Sequence, residues 1–235
     1  MDALILAAGR GTRMSGIDKP KCLLDIGGSS IIQYQIKCLK NAGINKIVIV
    51  TGYHSEQIHS HLSDDLIFIH NVDFATTNNL YSVWAAKNSL KDDFICIYGD
   101  LLFDKNILDN CIQNQNDVCL VIEKNVRDET MKVKIKNNLI TQLSKNISNQ
   151  NADGNFIGMA KFKKSISSLF FYEMDILVKN KKFDYYYTSA IESMIKNNQK
   201  INYIDTKNLT WIDIDEKNEF EEAKILFNKM SEINS

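Results

Sequence analysis

The sequence has few prolines and histidines and no excess of basic residues. It has one proline, Pro20, and four histidines, His54, His59, His61 and His70. Its 28 basic residues against 29 acidic residues leave a formal net charge of −1, so no basic field is available to hold a nucleic-acid backbone. Any anionic ligand must therefore be bound by a few local groups.

Long hydrophobic runs are also missing. The apolar run within MDALILAAGRG is too short to cross a membrane, and Asp2 stands where a signal peptide would carry basic residues. The sequence therefore predicts a cytoplasmic protein with neither a membrane nor a nucleic acid among its partners. It does not decide between a monomer and a homodimer.

The sequence offers no pattern of cysteines or histidines that indicates a metal site or a disulfide. The five cysteines are odd in number and form no C-x-x-C pair, so we interpret them as buried free thiols in a reducing compartment. The histidines lack a useful metal-ligand spacing with a nearby acid, and we interpret them as surface residues. The cysteines are Cys22, Cys38, Cys96, Cys111 and Cys119.

Hydrophobic periodicity predicts an α/β fold. In the first half of the chain, short continuous apolar runs alternate with helical patterns, which indicates a parallel sheet covered on both faces. The predicted strands are Ala3–Ala8, Lys46–Thr51, Leu66–Asn71 and Phe94–Tyr98, and the predicted helices are a segment capped by Ser29 or Ser30 and running to Asn41, then Ser55–Leu62 and Asn78–Leu90.

The second half is richer in short strands, and Asn137-Asn138 has the character of a hairpin turn. The predicted strands are Val118–Glu123, Met131–Ile135, Leu139–Leu143, Phe156–Phe162, Ile201–Asp205 and Trp211–Asp215, and the predicted helices are Ser165–Lys179, Tyr185–Lys196 and Lys217–Lys229. No repeat or long linker separates the halves.

The most specific segment is LAAGRGTRM at residues 6–14, followed by K-P-K at residues 19–21. A predicted strand leads into a glycine-containing loop, whose small residues let backbone N–H groups approach phosphate oxygens. Arg13 and Lys21 can neutralise a triphosphate. The loop lacks the third glycine of a dinucleotide fingerprint and the Gly-Lys-Ser/Thr ending of a P-loop.

The whole string resembles the opening of the sugar-nucleotidyltransferase-like superfamily. The resemblance implies a single nucleotidyltransferase domain over residues 1–235, with a Rossmann-like (GT-A type) mixed, mainly parallel sheet flanked by helices and a small β-rich acceptor-binding subregion. It also implies that Arg13 and Lys21 are catalytic cations. The implied nucleotide contacts are Leu6, Ala7, Ala8, Gly9, Gly11 and Thr12, together with Gly52 at the end of KIVIVTG.

Three aspartates stand at the ends of predicted strands. Asp100 follows the fourth strand, where a carboxylate faces the ligand crevice of a parallel sheet. Asp213 and Asp215 are two residues apart on a strand and share one face. The resemblance implies that Asp100 and Asp215, with Asp213 as a further candidate, bind Mg²⁺, for which Mn²⁺ can substitute. The alternatives are a turn-capping Asp100 and two solvated edge-strand acids.

The implied reaction asks little covalent chemistry of the protein. An acceptor phosphate or phosphonate oxygen attacks the α-phosphorus of a nucleoside triphosphate in line, and pyrophosphate leaves. Mg²⁺, Arg13 and Lys21 would stabilise the charge on the phosphoryl oxygens.

The string N-N-L-Y-S-V-W at residues 78–84 stands where larger sugar-phosphate enzymes carry a glycine-rich turn. An asparagine side chain both donates and accepts hydrogen bonds, which suits a pyrimidine edge. The string resembles the small cytidylyltransferases of the phosphocholine, 2-aminoethylphosphonate and phosphoglutamine group, which serve surface polysaccharide or capsule decoration. That resemblance implies CTP as the nucleotide, with contacts at Asn78, Asn79 and Ser82. Alternatively, Asn78 only caps a helix.

Residues of the second half are candidates for binding the acceptor. Lys132 and Lys145 lie on short strands where the family uses a basic residue for the acceptor phosphate, although solvated lysines are the alternative. Gly158 lies in a strand that resembles the wall of the family's acceptor pocket. Tyr187, in the run Tyr185-Tyr186-Tyr187, can supply part of a cage for a quaternary ammonium group.

Two other functions compete with a cytidylyltransferase. One is a sugar-1-phosphate nucleotidyltransferase that uses UTP, dTTP or GTP. The other is a non-catalytic regulatory domain that binds a nucleotide, against which the intact Arg13, Lys21, Asp100 and Asp215 argue. In each enzymatic case we expect residues 1–116 to bind mainly the nucleotide and residues 117–210 mainly the acceptor, with the metal-ligand strand and closing helix in residues 211–235.

Overall fold

The computed structural model describes residues 1–11, 19–128 and 130–233, and within them the chain has the mixed α/β fold that the sequence predicts. The strands are β1 (Asp2–Ala7), β2 (Lys46–Thr51), β3 (Ile67–His70), β4 (Phe94–Tyr98), β5 (Leu101–Phe103), β6 (Val118–Glu123), β7 (Met131–Lys136), β8 (Leu139–Ser144), β9 (Gly154–Phe162), β10 (Asn202–Asp205) and β11 (Trp211–Asp213). The helices are α1 (Ile31–Asn41), α2 (Ser55–His61), α3 (Asn79–Ala85), α4 (Lys105–Gln113), α5 (Lys164–Lys179), α6 (Thr188–Lys196) and α7 (Lys217–Ile233).

One sheet of nine strands runs through both halves of the chain, in the order β10-β6-β9-β4-β1-β2-β3, with the β7–β8 hairpin attached to β9. Strands β4, β1, β2 and β3 are parallel neighbours, whereas β9 runs antiparallel between β4 and β6. The carboxyl ends of β1, β2 and β4 therefore meet at one edge. Strands β5 and β11 form a separate antiparallel pair.

Both faces of the sheet are buried. Ile5 packs on one face with residues of α1, α2 and α4, while the adjacent Leu4 packs on the other face with residues of α3, α5 and α6. A third cluster joins α7 to β5 and β11, through Leu102, Ile212 and Ala223. Because successive strand residues alternate in direction, continuous apolar runs are what such a doubly covered sheet requires.

The start of α1 and the β7–β8 turn follow the sequence signals. Ser30 caps α1 in a capping box, since its hydroxyl accepts from the Gln33 N–H at 3.4 Å and the Gln33 side chain accepts from the Ser30 N–H at 3.0 Å. Asn137 and Asn138 adopt φ values of 52° and 59°, the left-handed pair that a tight hairpin turn needs.

Several element boundaries differ from the prediction. The helix expected over Asn78–Leu90 ends at Ala85 and continues as a 3₁₀ turn, and the segment Leu101–Gln113, which the sequence left unassigned, forms β5 and α4. The strand expected over Trp211–Asp215 ends at Asp213. It ends there because the Asp215 N–H donates to the Glu219 side chain instead of to a neighbouring strand.

The cysteines and histidines are placed as expected. All five cysteines are buried and free, while His59, His61 and His70 are exposed and His54 is half-buried. Among the helices described, none is long and apolar enough to cross a membrane.

Candidate active site

A cleft of about 860 Å³ opens at the edge where β1 and β4 end, and β11 and the first turns of α3 and α7 complete its walls. It brings together most of the residues that the sequence singled out. The predicted residues that line it are Leu6, Ala7, Ala8, Gly9, Gly11, Lys21, Asn78, Asn79, Ser82, Asp100, Lys145, Asp213 and Asp215.

The floor of the cleft is set by the close approach of β1 and β4. The Gly99 N–H donates to the Leu6 carbonyl at 2.9 Å, and a Cβ on Gly99 would lie 2.7 Å from that oxygen. Only glycine fits at this distance. The contact fixes Asp100, the next residue, beside the end of β1, where the glycine-containing loop begins. This loop, which the structure describes over residues 8–11, is called the phosphate loop.

Lys21 reaches into the cleft from a short 3₁₀ turn that follows Pro20. Its aliphatic stem lies against Gly11, where a Cβ would meet the Lys21 Cγ at 2.9 Å. Its ammonium donates a hydrogen bond to Asp215 and lies 3.9 Å from the Asp100 carboxylate. The side chain is only 12% exposed, so the structure places a largely buried cation between two carboxylates.

The three aspartates carry more negative charge than Lys21 alone balances. Burial, followed by the Asp100 and Asp215 carboxylates, raises the pKa of Asp213 well above its ordinary value. Burial also raises the pKa of Asp100, although Lys21 opposes that shift. The Asp213 Oδ1 atom is buried and finds no hydrogen-bond partner among the described residues. A further cation would relieve both the repulsion and the unsatisfied oxygen.

The side chains as they stand do not form a closed metal cage. Within residues 1–11, 19–128 and 130–233, no group of three or more His, Cys, Asp or Glu side chains lies close enough to hold an ion. The Lys21 ammonium bonds Asp215 and lies close to Asp100. Lys21 thus occupies the space between two of the three aspartates.

The first turn of α7 holds the end of the acidic strand. The Glu219 carboxylate accepts from the N–H groups of Asp215 at 2.6 Å and Glu216 at 2.7 Å. A carboxylate at this position satisfies amide groups that the helix leaves unpaired. Glu216 and Glu222 also line the cleft and make this rim acidic.

The wall formed by α3 is rich in amides and hydroxyls. The Asn78 side-chain oxygen accepts from the Asn79 N–H at 2.8 Å and so caps α3. The Asn79 oxygen accepts from the Tyr187 N–H at 2.8 Å, and the Asn79 side chain also hydrogen-bonds the Tyr98 hydroxyl. The protein thus uses the side-chain oxygens of both asparagines, whereas no described residue accepts a hydrogen bond from the Asn78 amide nitrogen.

Behind this wall lies a residue that the sequence did not indicate. Asn71 is buried, and its amide donates to the hydroxyls of Thr77 and Ser82 at 3.1 Å each. It therefore orients Ser82, a predicted nucleotide contact.

Another part of the cleft is lined by two cations and two aromatic rings. The Arg127 guanidinium lies 4.3 Å from the centre of the Trp211 ring, and the Lys145 ammonium lies 4.5 Å from the centre of the Tyr186 ring. Lys145 also donates to the Tyr186 hydroxyl at 3.0 Å. Of these four residues, the sequence indicated Lys145 and, as a member of the run Tyr185-Tyr186-Tyr187, Tyr186.

The sequence matches the family of MobA-like NTP transferase domains over residues 3–159. The chain belongs to this family. Its likeness to a curated relative extends further: it is 31% identical to the CTP:phosphoglutamine cytidylyltransferase of Campylobacter jejuni over 245 aligned residues, which cover 92% of this chain and 96% of the relative. The nucleotidyltransferase activity implied by the sequence is thereby confirmed as the family's chemistry.

Solved structures show the same fold. The inositol-1-phosphate CTP transferase from T. maritima superposes with a TM-score of 0.81 at 21% identity, covering 98% of this chain and 96% of that one. The CTP:phosphocholine cytidylyltransferase from Streptococcus pneumoniae superposes with a TM-score of 0.79 at 22% identity, covering 96% of this chain and 98% of that one.

Three predicted acceptor residues of this NTP transferase are not among the residues that line the cleft. Tyr187 is fully buried, with its ring edge-on to Tyr98 and to core phenylalanines. Lys132 is 5% exposed in β7, the strand between β8 and β9. Gly158 lies beneath the Tyr98 ring, where a Cβ would be 2.5 Å from Cδ2.

Gly52, a predicted nucleotide contact, lies beneath the phosphate loop. Gly52 supports the phosphate loop from below, since a Cβ there would lie 2.7 Å from the Ala8 carbonyl. Thr12 and Arg13 lie outside the described residues.

Proposed function

We propose that the protein is a CTP-dependent cytidylyltransferase that transfers CMP to the phosphoryl or phosphonyl group of a small amino compound. The observation that carries the proposal is that Lys21, Asp100, Asp213 and Asp215 lie in one cleft. The same cleft contains the phosphate loop and the wall formed by Asn78 and Asn79, the asparagine wall. The 31% identity to a CTP:phosphoglutamine cytidylyltransferase over nearly the whole chain supports this choice of nucleotide and acceptor class.

In the proposed reaction, an oxygen of the acceptor's phosphoryl group attacks the α-phosphorus of CTP. The bond from the α-phosphorus to the oxygen that bridges to the β-phosphorus breaks, and pyrophosphate leaves with that electron pair. The Lys21 ammonium lies where the phosphate loop meets the aspartates, so it can stabilise the charge on the triphosphate.

Asp100, Asp213 and Asp215 would hold a divalent cation. The buried, unpaired Oδ1 of Asp213 and the raised pKa values of Asp100 and Asp213 fit such an ion, and an all-oxygen ligand set favours Mg²⁺ or Mn²⁺. When bound, the ion would supply Lewis-acid charge to the phosphoryl oxygens. Binding would free Lys21 from the carboxylates to face the nucleotide.

The asparagine wall supports the choice of a pyrimidine. The Asn78 amide nitrogen can donate to a base acceptor such as the O2 or N3 atom of cytosine, while the Asn79 amide is held by Tyr98 and Tyr187. Asn78 is thus the residue proposed to contact the base, and Asn79 the residue that positions the wall.

Two finer assignments belong to the same proposal. Residues 1–116 bind mainly nucleotide and residues 117–210 mainly acceptor, as the place of Arg127, Lys145 and Tyr186 in the cleft supports. The product serves the decoration of surface polysaccharide or capsule from the cytoplasm.

A nucleotide panel tests the function. Pyrophosphate release is measured with CTP, UTP, dTTP, ATP and GTP, each against phosphocholine, 2-aminoethylphosphonate, O-phosphoserine and glucose 1-phosphate. We expect release with CTP and an amino acceptor. Release with UTP, dTTP or GTP and the sugar phosphate would establish a sugar-1-phosphate nucleotidyltransferase instead, and nucleotide binding without release under any pairing would indicate a regulatory domain.

A further inference from the structure

The two aromatic rings of the Arg127–Lys145 part of the cleft are already covered by cations of the protein itself. Arg127 lies over Trp211 at 4.3 Å and Lys145 over Tyr186 at 4.5 Å, both measured to the ring centre. A quaternary ammonium group binds proteins by the same contact with aromatic faces. These faces are therefore unsuited to a trimethylammonium group, because the positive charges of Arg127 and Lys145 would repel it.

The two cations differ in how far the protein neutralises them. Arg127 donates through Nε at 2.8 Å and through Nη2 at 3.2 Å to the Glu123 carboxylate, so it is paired and held in place. Lys145 donates to the Tyr186 hydroxyl. No carboxylate within the described parts of the chain forms an ion pair with it, which leaves Lys145 as a cation with donors to spare.

The Asp128 carboxylate is another charged group in this part of the cleft. Asp128 lines the cleft and accepts a hydrogen bond from the Asn149 amide at 2.5 Å. Arg127 and Glu123 neutralise each other, whereas neither Lys145 nor Asp128 forms an ion pair with another described residue. The ligand group complementary to Lys145 is therefore an anion.

We infer that the acceptor carries a carboxylate in addition to its reacting phosphoryl group, and that Lys145, positioned by Tyr186, binds this carboxylate with Arg127 beside it. The inference rests on the proposed function in one respect, which is that the phosphoryl group lies at the aspartates. It narrows the acceptor to phosphorylated or phosphonylated amino acids and excludes phosphocholine as a good substrate.

Pairs of compounds that differ only in a carboxylate test the inference. O-Phosphoserine is compared with O-phosphoethanolamine, and 2-amino-3-phosphonopropionate with 2-aminoethylphosphonate, by titration calorimetry on the full chain with Mg²⁺, with and without CTP. We expect the carboxylate member of each pair to bind about tenfold more tightly or better, the effect of one added hydrogen bond between charged groups. Equal binding, or tighter binding of phosphocholine, would overturn the inference.

The variant Lys145→Met tests whether Lys145 is responsible for the tighter binding of the carboxylate compounds. We expect the ratio of the two dissociation constants in each pair to fall toward one. The matched control is Lys136→Met, which removes the same charge from an exposed position of β7 outside the cleft and should keep the wild-type ratio. Thermal unfolding of both variants shows that each is folded.

The outcomes separate this inference from the proposed function. If Lys145→Met weakens both members of a pair equally, Lys145 binds the phosphoryl group and the carboxylate assignment is wrong. Because binding is also measured without nucleotide, the carboxylate preference can hold even where the nucleotide panel refutes CTP. Conversely, CTP can prove correct while the paired acceptors bind equally.

Discussion

The Lys21 ammonium donates a hydrogen bond to the carboxylate of Asp215, which follows it by 194 positions in the sequence. This contact joins the segment after the phosphate loop to the segment between β11 and α7. It also places the cation where an ion would bind the aspartates.

Lys21→Ala should lower kcat/KM by about 10²-fold or more, the scale of losing one group that stabilises transition-state charge. The measurement is steady-state pyrophosphate release with CTP and a working acceptor. Lys37→Ala, at an exposed position of α1, is the control and should retain activity. A loss below about threefold in a folded Lys21→Ala protein would assign Lys21 to a structural role.

Removal of divalent cations should abolish activity, and Mg²⁺ or Mn²⁺ should restore it, because the proposed ligands are all oxygens. Asp213→Asn should weaken Mn²⁺ binding. The binding is measured from the electron paramagnetic resonance signal of the free Mn²⁺ ion. Asp205→Asn, on β10 outside the cleft, is the matched control. Full activity in excess EDTA would rule the metal out.

Asn78→Ala and Asn79→Ala should behave differently, although the two residues are adjacent. Asn78→Ala should raise KM for CTP, since it removes the amide proposed to contact the base. Asn79→Ala leaves the buried Tyr187 N–H without its acceptor and should lower the free energy of unfolding by about 1–3 kcal/mol. The measurements are kinetics with each NTP and urea denaturation. Reversed effects would exchange the assigned roles.

Cys22 should be unreactive although it lines the cleft. Burial, followed by the Asp100 carboxylate, raises the pKa of its thiol to about 12. The thiol is thus overwhelmingly protonated from pH 7 to 9. Titration with a disulfide reagent should detect no fast thiol from pH 7 to 9 in the native protein and five after denaturation. Rapid native labelling of Cys22 would contradict this placement.

The fold was predictable because the strands of the first half are short, continuous apolar runs that alternate with helical patterns. Asp100 and Asp213 could be placed in the cleft from such runs, since each follows or ends a strand whose direction the pattern indicates. The grouping of Arg127, Tyr186 and Trp211 could not be predicted, because they come from three distant segments that only tertiary packing brings together.

Local packing explains two features of the site that the sequence does not indicate. The sequence predicts Tyr187 as an acceptor contact, but no periodicity in the run of three tyrosines before α6 indicates which ring turns inward, and the structure buries Tyr187. Asn79, a predicted nucleotide contact, lines the cleft, and its side chain also completes the hydrogen bonding of Tyr98 and Tyr187.

The pairing of β11 with β5 has a consequence for synthesis of the protein. A nascent chain that has emerged through β10 already contains the phosphate loop, Lys21 and Asp100, and it can assemble the nine-stranded sheet. It still lacks Asp213, Asp215 and the Glu219 carboxylate that holds the Asp215 backbone. The cleft is therefore completed only after the first turn of α7 leaves the ribosome, so a stalled chain lacks two of the three aspartates proposed to hold the cation.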